Sequence, residues 1–124
     1  MSRRRLRPAF RDKRGLVYDV VEENVGHVGL ITSKKGTTRG SHYHKESTQF
    51  TFVISGKIVY TERDLRKRGS RKKTLLLSPN DLVVTPARVA HMFRFLEDSV
   101  IIDITTKSRN DNGYENDTVR LEKF

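Results

Sequence analysis

Apolar and polar residues alternate at a period of two through most of this chain, and the 3.6-residue period of an amphipathic helix is nearly absent. The alternation predicts strands over 16–21, 27–32, 48–54, 57–62, 73–77, 82–85, 90–96 and 99–105. Each is rich in Val, Ile, Phe, Tyr or Thr and is bounded by turn residues. Ser55-Gly56 reads as a tight hairpin turn. Ser78-Pro79-Asn80-Asp81 reads as a second turn, because Pro pre-sets its backbone and Asn and Asp tolerate turn conformations. Eight short strands at this spacing predict an all-β sandwich or barrel. The segment 106–124 is too polar for a core strand until 118–121, so it is expected to pack over the barrel as an ordered tail.

The 124 residues suit one domain, 1–124. Hydrophobic residues (35%) and charged residues (32%) are nearly balanced, but the apolar ones cluster in short runs, which argues for a folded domain with a polar surface. Cysteine is absent, which excludes disulfides, thiolate metal sites and a cysteine nucleophile. No apolar run approaches the roughly 18 residues that span a bilayer, and the basic start lacks an apolar h-region. A soluble, cytoplasmic protein without membrane attachment is therefore expected.

The net charge of +10 has two main sources. Residues 1–14 hold seven of the 25 Lys and Arg, and residues 62–73 hold seven more. The first run is expected to fray, and the second to form a solvated hairpin tip around Gly69-Ser70. Neither interleaves aromatics with its charges, so nucleic acid is not the expected partner. A positive field would instead draw an anionic or phosphorylated small molecule.

Three of the four histidines fall in two short regions, His42 with His44 and then His91. Positions i and i+2 of an extended strand share a face, so His42 and His44 can present two imidazoles to one point. A third imidazole from another strand would complete a nitrogen-rich site for a divalent metal.

The spacing Gly36, His42, His44, Gln49, Gly56 resembles the first signature motif of the cupin superfamily, with Gln49 in place of the usual glutamate. Asn80, Pro86 and His91 resemble the second motif. There Asn80 and Arg88 replace two of the family's glycines, and Phe95 replaces its final asparagine. The resemblance implies a double-stranded β-helix, or jelly-roll barrel, with the site inside the barrel mouth, and often a homodimer. It implies that His42, His44, Gln49 and His91 bind a divalent metal ion such as Zn, Mn, Fe or Ni. The R-G-x-H-x-H run from Arg39 also resembles cupin-type sugar-nucleotide ketoisomerases, in which the H-x-H pair acts as acid and base without a metal. RDKRG at 11–15 and ENDT at 115–118 are similar to cupins of polysaccharide and deoxysugar pathways.

Two chemistries stay open. In one, the histidines and Gln49 hold a cation that polarises a carbonyl; in the other, His42 and His44 move a proton next to a sugar ketone while Gln49 orients an imidazole. Glu46 is the nearest substitute carboxylate, provided the strand runs on without a turn. Arg39 and Arg88 are candidate substrate contacts at the rim, while Tyr43 alternates away from the histidines. Phe93 and Phe95 are expected in the core, and Asp103, in an apolar strand, needs a buried partner. The expected function is a metal-binding cupin acting on a carbohydrate or nucleotide sugar as isomerase or epimerase. The alternatives are a non-catalytic small-ligand cupin and an Fe-dependent dioxygenase.

Overall fold

The structure, a computed structural model, describes residues 2–124. Two five-stranded antiparallel sheets face each other as a jelly roll. The first sheet runs β1 (Arg3–Arg5), β9 (Asp81–Thr85), β6 (Gln49–Ser55), β11 (Ser99–Thr105) and β4 (His27–Ser33). The second runs β12 (Thr118–Arg120), β5 (Thr38–His44), β10 (Val89–Phe95), β7 (Ile58–Asp64) and β8 (Lys73–Leu77). A hairpin of β2 (Phe10–Asp12) and β3 (Gly15–Val17) stands apart from both.

The inward residues of this alternation form the core between the sheets. Val53, Ile58, Tyr60, Leu77, Val83, Phe93, Phe95 and Ile101 are buried in one cluster. Burial stabilises each by roughly 1.5–3 kcal/mol. The outward face of the first sheet carries a smaller cluster of Phe50, Leu82 and Ile104, against which Leu6, Val20 and Val21 pack.

Seven of the eight expected strands lie where the alternation places them, to within about two residues. The segment expected over 16–21 is shorter, because Gly15–Val17 finds a partner only in β2 and Val20 and Val21 leave the extended run to pack on the sheet. The basic arm does not fray as expected: Arg3–Arg5 pairs with Asp81–Val83. Arg5 supplies the reason, since its guanidinium makes two hydrogen bonds, of 2.8 and 3.2 Å, to the carboxylate of the fully buried Asp81. A buried carboxylate without such a partner would be costly.

The strand that carries the two histidines, β5, has no apolar alternation, and its hydrogen-bond partners hold it extended. It lies between β10 and β12, with His42 opposite both His91 and Arg120, and His44 opposite Thr118. The single-turn helix α1 (Gly113–Asp117) immediately precedes β12 and brings the C-terminal segment over the end of the barrel where the histidines sit. Asn80 and Arg88, which stand where the motif they resemble has glycine, both have positive φ, of 74° and 65°.

Candidate functional site

Two paired strands, β5 with His42 and His44 and β10 with His91, bring three imidazoles together. The ring centroids of His42 and His44 are 4.9 Å apart, those of His42 and His91 4.7 Å, and those of His44 and His91 5.5 Å. All three are buried. Their candidate ligating nitrogens lie within 4.8 Å of one another.

Each ring has a different set of partners. His91 is wholly buried, and its Nδ1–H donates to the carbonyl of Val89 at 3.1 Å. Nε2 therefore keeps a lone pair, and it has no partner among the described residues. Burial, reinforced by His42, lowers the His91 pKa to about 3, so the ring is neutral at pH 7. Burial also lowers the His42 pKa to about 4, with His44 and Arg120 adding to the shift.

His44 is held on both sides. Its Nε2–H donates to Gln49 Oε1 at 2.9 Å, and its Nδ1 lies 3.2 Å from Thr118 Oγ1. Asp117 Oδ2 is 3.8 Å from the same Nδ1. That carboxylate is itself fixed, accepting from the backbone N–H groups of Glu46 and Ser47. Burial lowers the pKa of His44, opposed by Gln49 and Asp117.

Gln49 continues the network across the barrel. Its amide Nε2 donates to Thr51 Oγ1 at 3.2 Å, and Thr51 makes a longer contact of 3.5 Å to Asp103 Oδ1. Asp103 also accepts from Arg109 at 3.3 Å, and that guanidinium lies 4.4 Å above the Tyr114 ring. Burial raises the Asp103 carboxyl to about 6 against the pull of Arg109. The carboxylate that needed a partner thus has an arginine from the C-terminal segment.

A cavity of about 360 Å³ opens onto this network. His42, Gln49, Asp103 and Tyr114 line it together with Arg39, Arg109 and Arg120. Arg109 is paired with Asp103, and Arg120 makes two 2.9 Å hydrogen bonds to Glu115. Arg39 has no carboxylate partner among the described residues; it donates to Ser33 Oγ and to the Thr32 carbonyl.

Not every expected residue reaches the cavity. Arg88 is exposed and does not line it; its backbone N–H instead donates to the His44 carbonyl at 2.7 Å. Glu46 is no substitute carboxylate, because β5 ends at His44 and Glu46 pairs at the surface with Lys107 at 3.2 Å. Phe95 is core, as expected, while Phe93 belongs both to the core and to the cavity wall. Tyr114, Arg109, Asp117, Thr118 and Arg120 were missed by the pattern of the sequence. The signals for them were the ENDT run at 115–118, which holds Asp117 and Thr118, and the short weakly polar stretch 118–121, which pairs with the histidine strand.

The donor set fits a divalent ion in part. The unpartnered Nε2 of His91 is what a metal-ligating imidazole leaves free, with its other nitrogen anchored to a carbonyl. Gln49, by contrast, turns its oxygen to His44.

A family model described as "Cupin domain" matches residues 29–105. Among solved structures, a dTDP-4-dehydrorhamnose 3,5-epimerase from Sulfolobus tokodaii is similar at 26% identity. Its TM-score is 0.74, with 94% of this chain and 72% of that one covered. A sugar 3,4-ketoisomerase from Thermoanaerobacterium thermosaccharolyticum, in complex with TDP, is 19% identical with a TM-score of 0.75, covering 97% and 87%. An epimerase from Mycobacterium tuberculosis is 18% identical with a TM-score of 0.78, covering 96% and 67%. No curated protein sequence matches.

Proposed function

This chain belongs to the cupin-domain family, and from that membership we propose that it is a sugar-nucleotide isomerase or epimerase working by imidazole acid–base chemistry. The observation that carries the reading is the clamp on His44. Gln49 Oε1 occupies one ring nitrogen and Thr118 and Asp117 flank the other, so Gln49 orients an imidazole. The similar solved structures are epimerases and ketoisomerases of nucleotide sugars, which supports the substrate class.

His42 is the proposed base. It lines the cavity, and burial keeps it neutral with a lone pair at pH 7. It takes the proton from a carbon next to the sugar ketone; the C–H pair becomes the enolate double bond and the carbonyl pair moves onto oxygen. Proton return to the opposite face of that carbon gives an epimer. Return to the former carbonyl carbon, with a hydroxyl proton passing between the oxygens, gives the keto isomer. Tyr114, which lines the cavity with its ring 6.3 Å from that of His42, is the proposed proton donor, and His44, 4.9 Å from His42 with its Nε2–H held by Gln49, is the proposed partner that positions the base. Arg39, the cavity arginine without a carboxylate, is the proposed contact for the anionic end of the substrate.

Incubation of a panel of keto-sugar nucleotides in D2O, read by mass spectrometry, tests this. Deuterium should enter next to the ketone with the wild type and fall at least about 100-fold with His42→Asn. No exchange across the panel would leave a binding protein without turnover.

The unpartnered His91 Nε2 favours a second reading, in which His42, His44 and His91 hold a divalent ion. Bound there, the ion would supply Lewis-acid polarisation of a substrate oxygen. Elemental analysis after reconstitution distinguishes the two: about one metal per chain, lost in His91→Ala, supports it. Oxygen uptake only with Fe(II) would mark the dioxygenase alternative.

A further inference from the structure

The two basic runs of the sequence play no part at the histidines, yet the fold brings them to one place. Arg4 of β1 and Arg66, Lys67, Arg71 and Lys73 around the β7–β8 connection line a cleft of about 490 Å³. This cleft shares no lining residue with the histidine cavity.

Its charge is unbalanced. Glu62 and Asp64 are its only carboxylates, and only Arg66 is paired, to Asp64 at 2.9 Å. Arg4, Lys67, Arg71 and Lys73 have no carboxylate within ion-pair distance among the described residues. Five cations against two carboxylates leave the lining with a net charge of +3, which raises its positive potential and the local concentration of anions.

The connection is built rather than loose. Asp64 accepts from the backbone N–H, Nε and Nη2 of Arg66, and its carbonyl accepts from Ser70 Oγ at 2.6 Å and from the Lys67 N–H. Leu65 N–H donates to the Arg88 carbonyl, which ties the connection to the neighbouring turn. The hydrogen bonds thus consume Asp64 and Ser70 and leave the cationic ends of Lys67, Arg71 and Lys73 unpaired. The floor of the cleft includes Val84, Pro86 and Val89, an apolar surface beside the charges.

We propose that this cleft is a second ligand site, which takes a phosphate-bearing small molecule. The phosphoryl oxygens lie between Arg4 on one side and Arg71 and Lys73 on the other, and an organic group lies over the Val84, Pro86 and Val89 floor. The assignment is independent of the chemistry at the histidines.

Titration of the full chain with inorganic pyrophosphate at about 150 mM salt, followed by calorimetry and by backbone amide shifts, tests it. Saturable 1:1 binding is expected, with the largest shifts over 64–73. Arg71→Ala/Lys73→Ala should weaken it at least tenfold. Lys34→Ala/Lys35→Ala removes the same charge from an exposed turn elsewhere and should change it less than twofold. Thermal melts of both variants check that each is folded. A nucleoside diphosphate should bind more tightly than pyrophosphate; equal affinity would overturn the role of the apolar floor. Equal weakening in both double variants, or shifts confined to 38–44, would overturn the site. So would a single-stranded oligonucleotide that binds the same residues and is not displaced by pyrophosphate, which would assign the cleft to nucleic acid.

Discussion

His91 shows most directly how one side chain can be read from its surroundings. Its Nδ1 is spent on Val89, its Nε2 is bare, and burial holds its pKa near 3 against an ordinary value of 6.5. The unfolded chain takes up this proton near pH 6.5, whereas the folded chain refuses it until about pH 3. Folding stability is therefore expected to fall as pH drops from 6.5, by at most about 1.4 kcal/mol per pH unit for this histidine. Urea midpoints at pH 7, 5.5 and 4.5 would show it, and His91→Leu should flatten the slope whatever its own stability. A wild-type midpoint that stays level over this range would mean that the ring is protonated as easily folded as unfolded. Of the site residues, the three histidines and Gln49 stand out in the sequence by their spacing. Tyr114, Arg109 and Asp117 do not, because polar residues in a polar segment carry no periodicity that distinguishes a cavity wall from solvent.

At the scale of elements, the meeting of β5 with β10 decides whether the site exists. Register shifts between His91 and Met92, and Gly40 faces that irregularity with φ of 96°. A Cβ at Gly40 would lie 2.9 Å from the His91 carbonyl oxygen and 3.2 Å from the Met92 Cα, both backbone atoms with little room to yield. Gly40→Ala is expected to destabilise the chain by about 2 kcal/mol, through left-handed strain together with the clash. Chemical denaturation measures the loss, and His42 and His91 ring resonances should shift in the folded variant because the clash lies between their strands. An unchanged midpoint would show that the strands can separate there at no cost. Alternation located β4, β6 to β11 well, since each has one face in the core. It could not show β1 or β5 and gave only a faint sign of β12 at 118–121, because their Arg, Gly, Ser, His and Thr are held extended by pairing to neighbours distant in sequence.

Across the whole molecule, apolar surface is left where the chain cannot cover it. β4 ends its sheet with Val28 61% and Leu30 69% exposed, and the β2–β3 hairpin exposes Phe10, Leu16 and Val17. An isolated hairpin is marginal in water, and an apolar unpaired edge invites pairing. Both features support the proposed homodimer. Light scattering should then give about twice the 14.4 kDa chain mass, and Leu30→Glu should shift it toward monomer. A monomeric wild type at micromolar concentration would reject it. No helix among the described residues is long and apolar enough to cross a membrane.

The sequence by itself determined the all-β class, most strand positions and the set of histidines, because period-two burial and motif spacing are local properties of the chain. The tertiary structure alone decided what those residues meet. It turned Gln49 onto His44, laid the C-terminal segment over the cavity, and joined basic runs some sixty residues apart in one cleft. Such contacts depend on which strands pair across the two sheets, and no local pattern encodes that pairing.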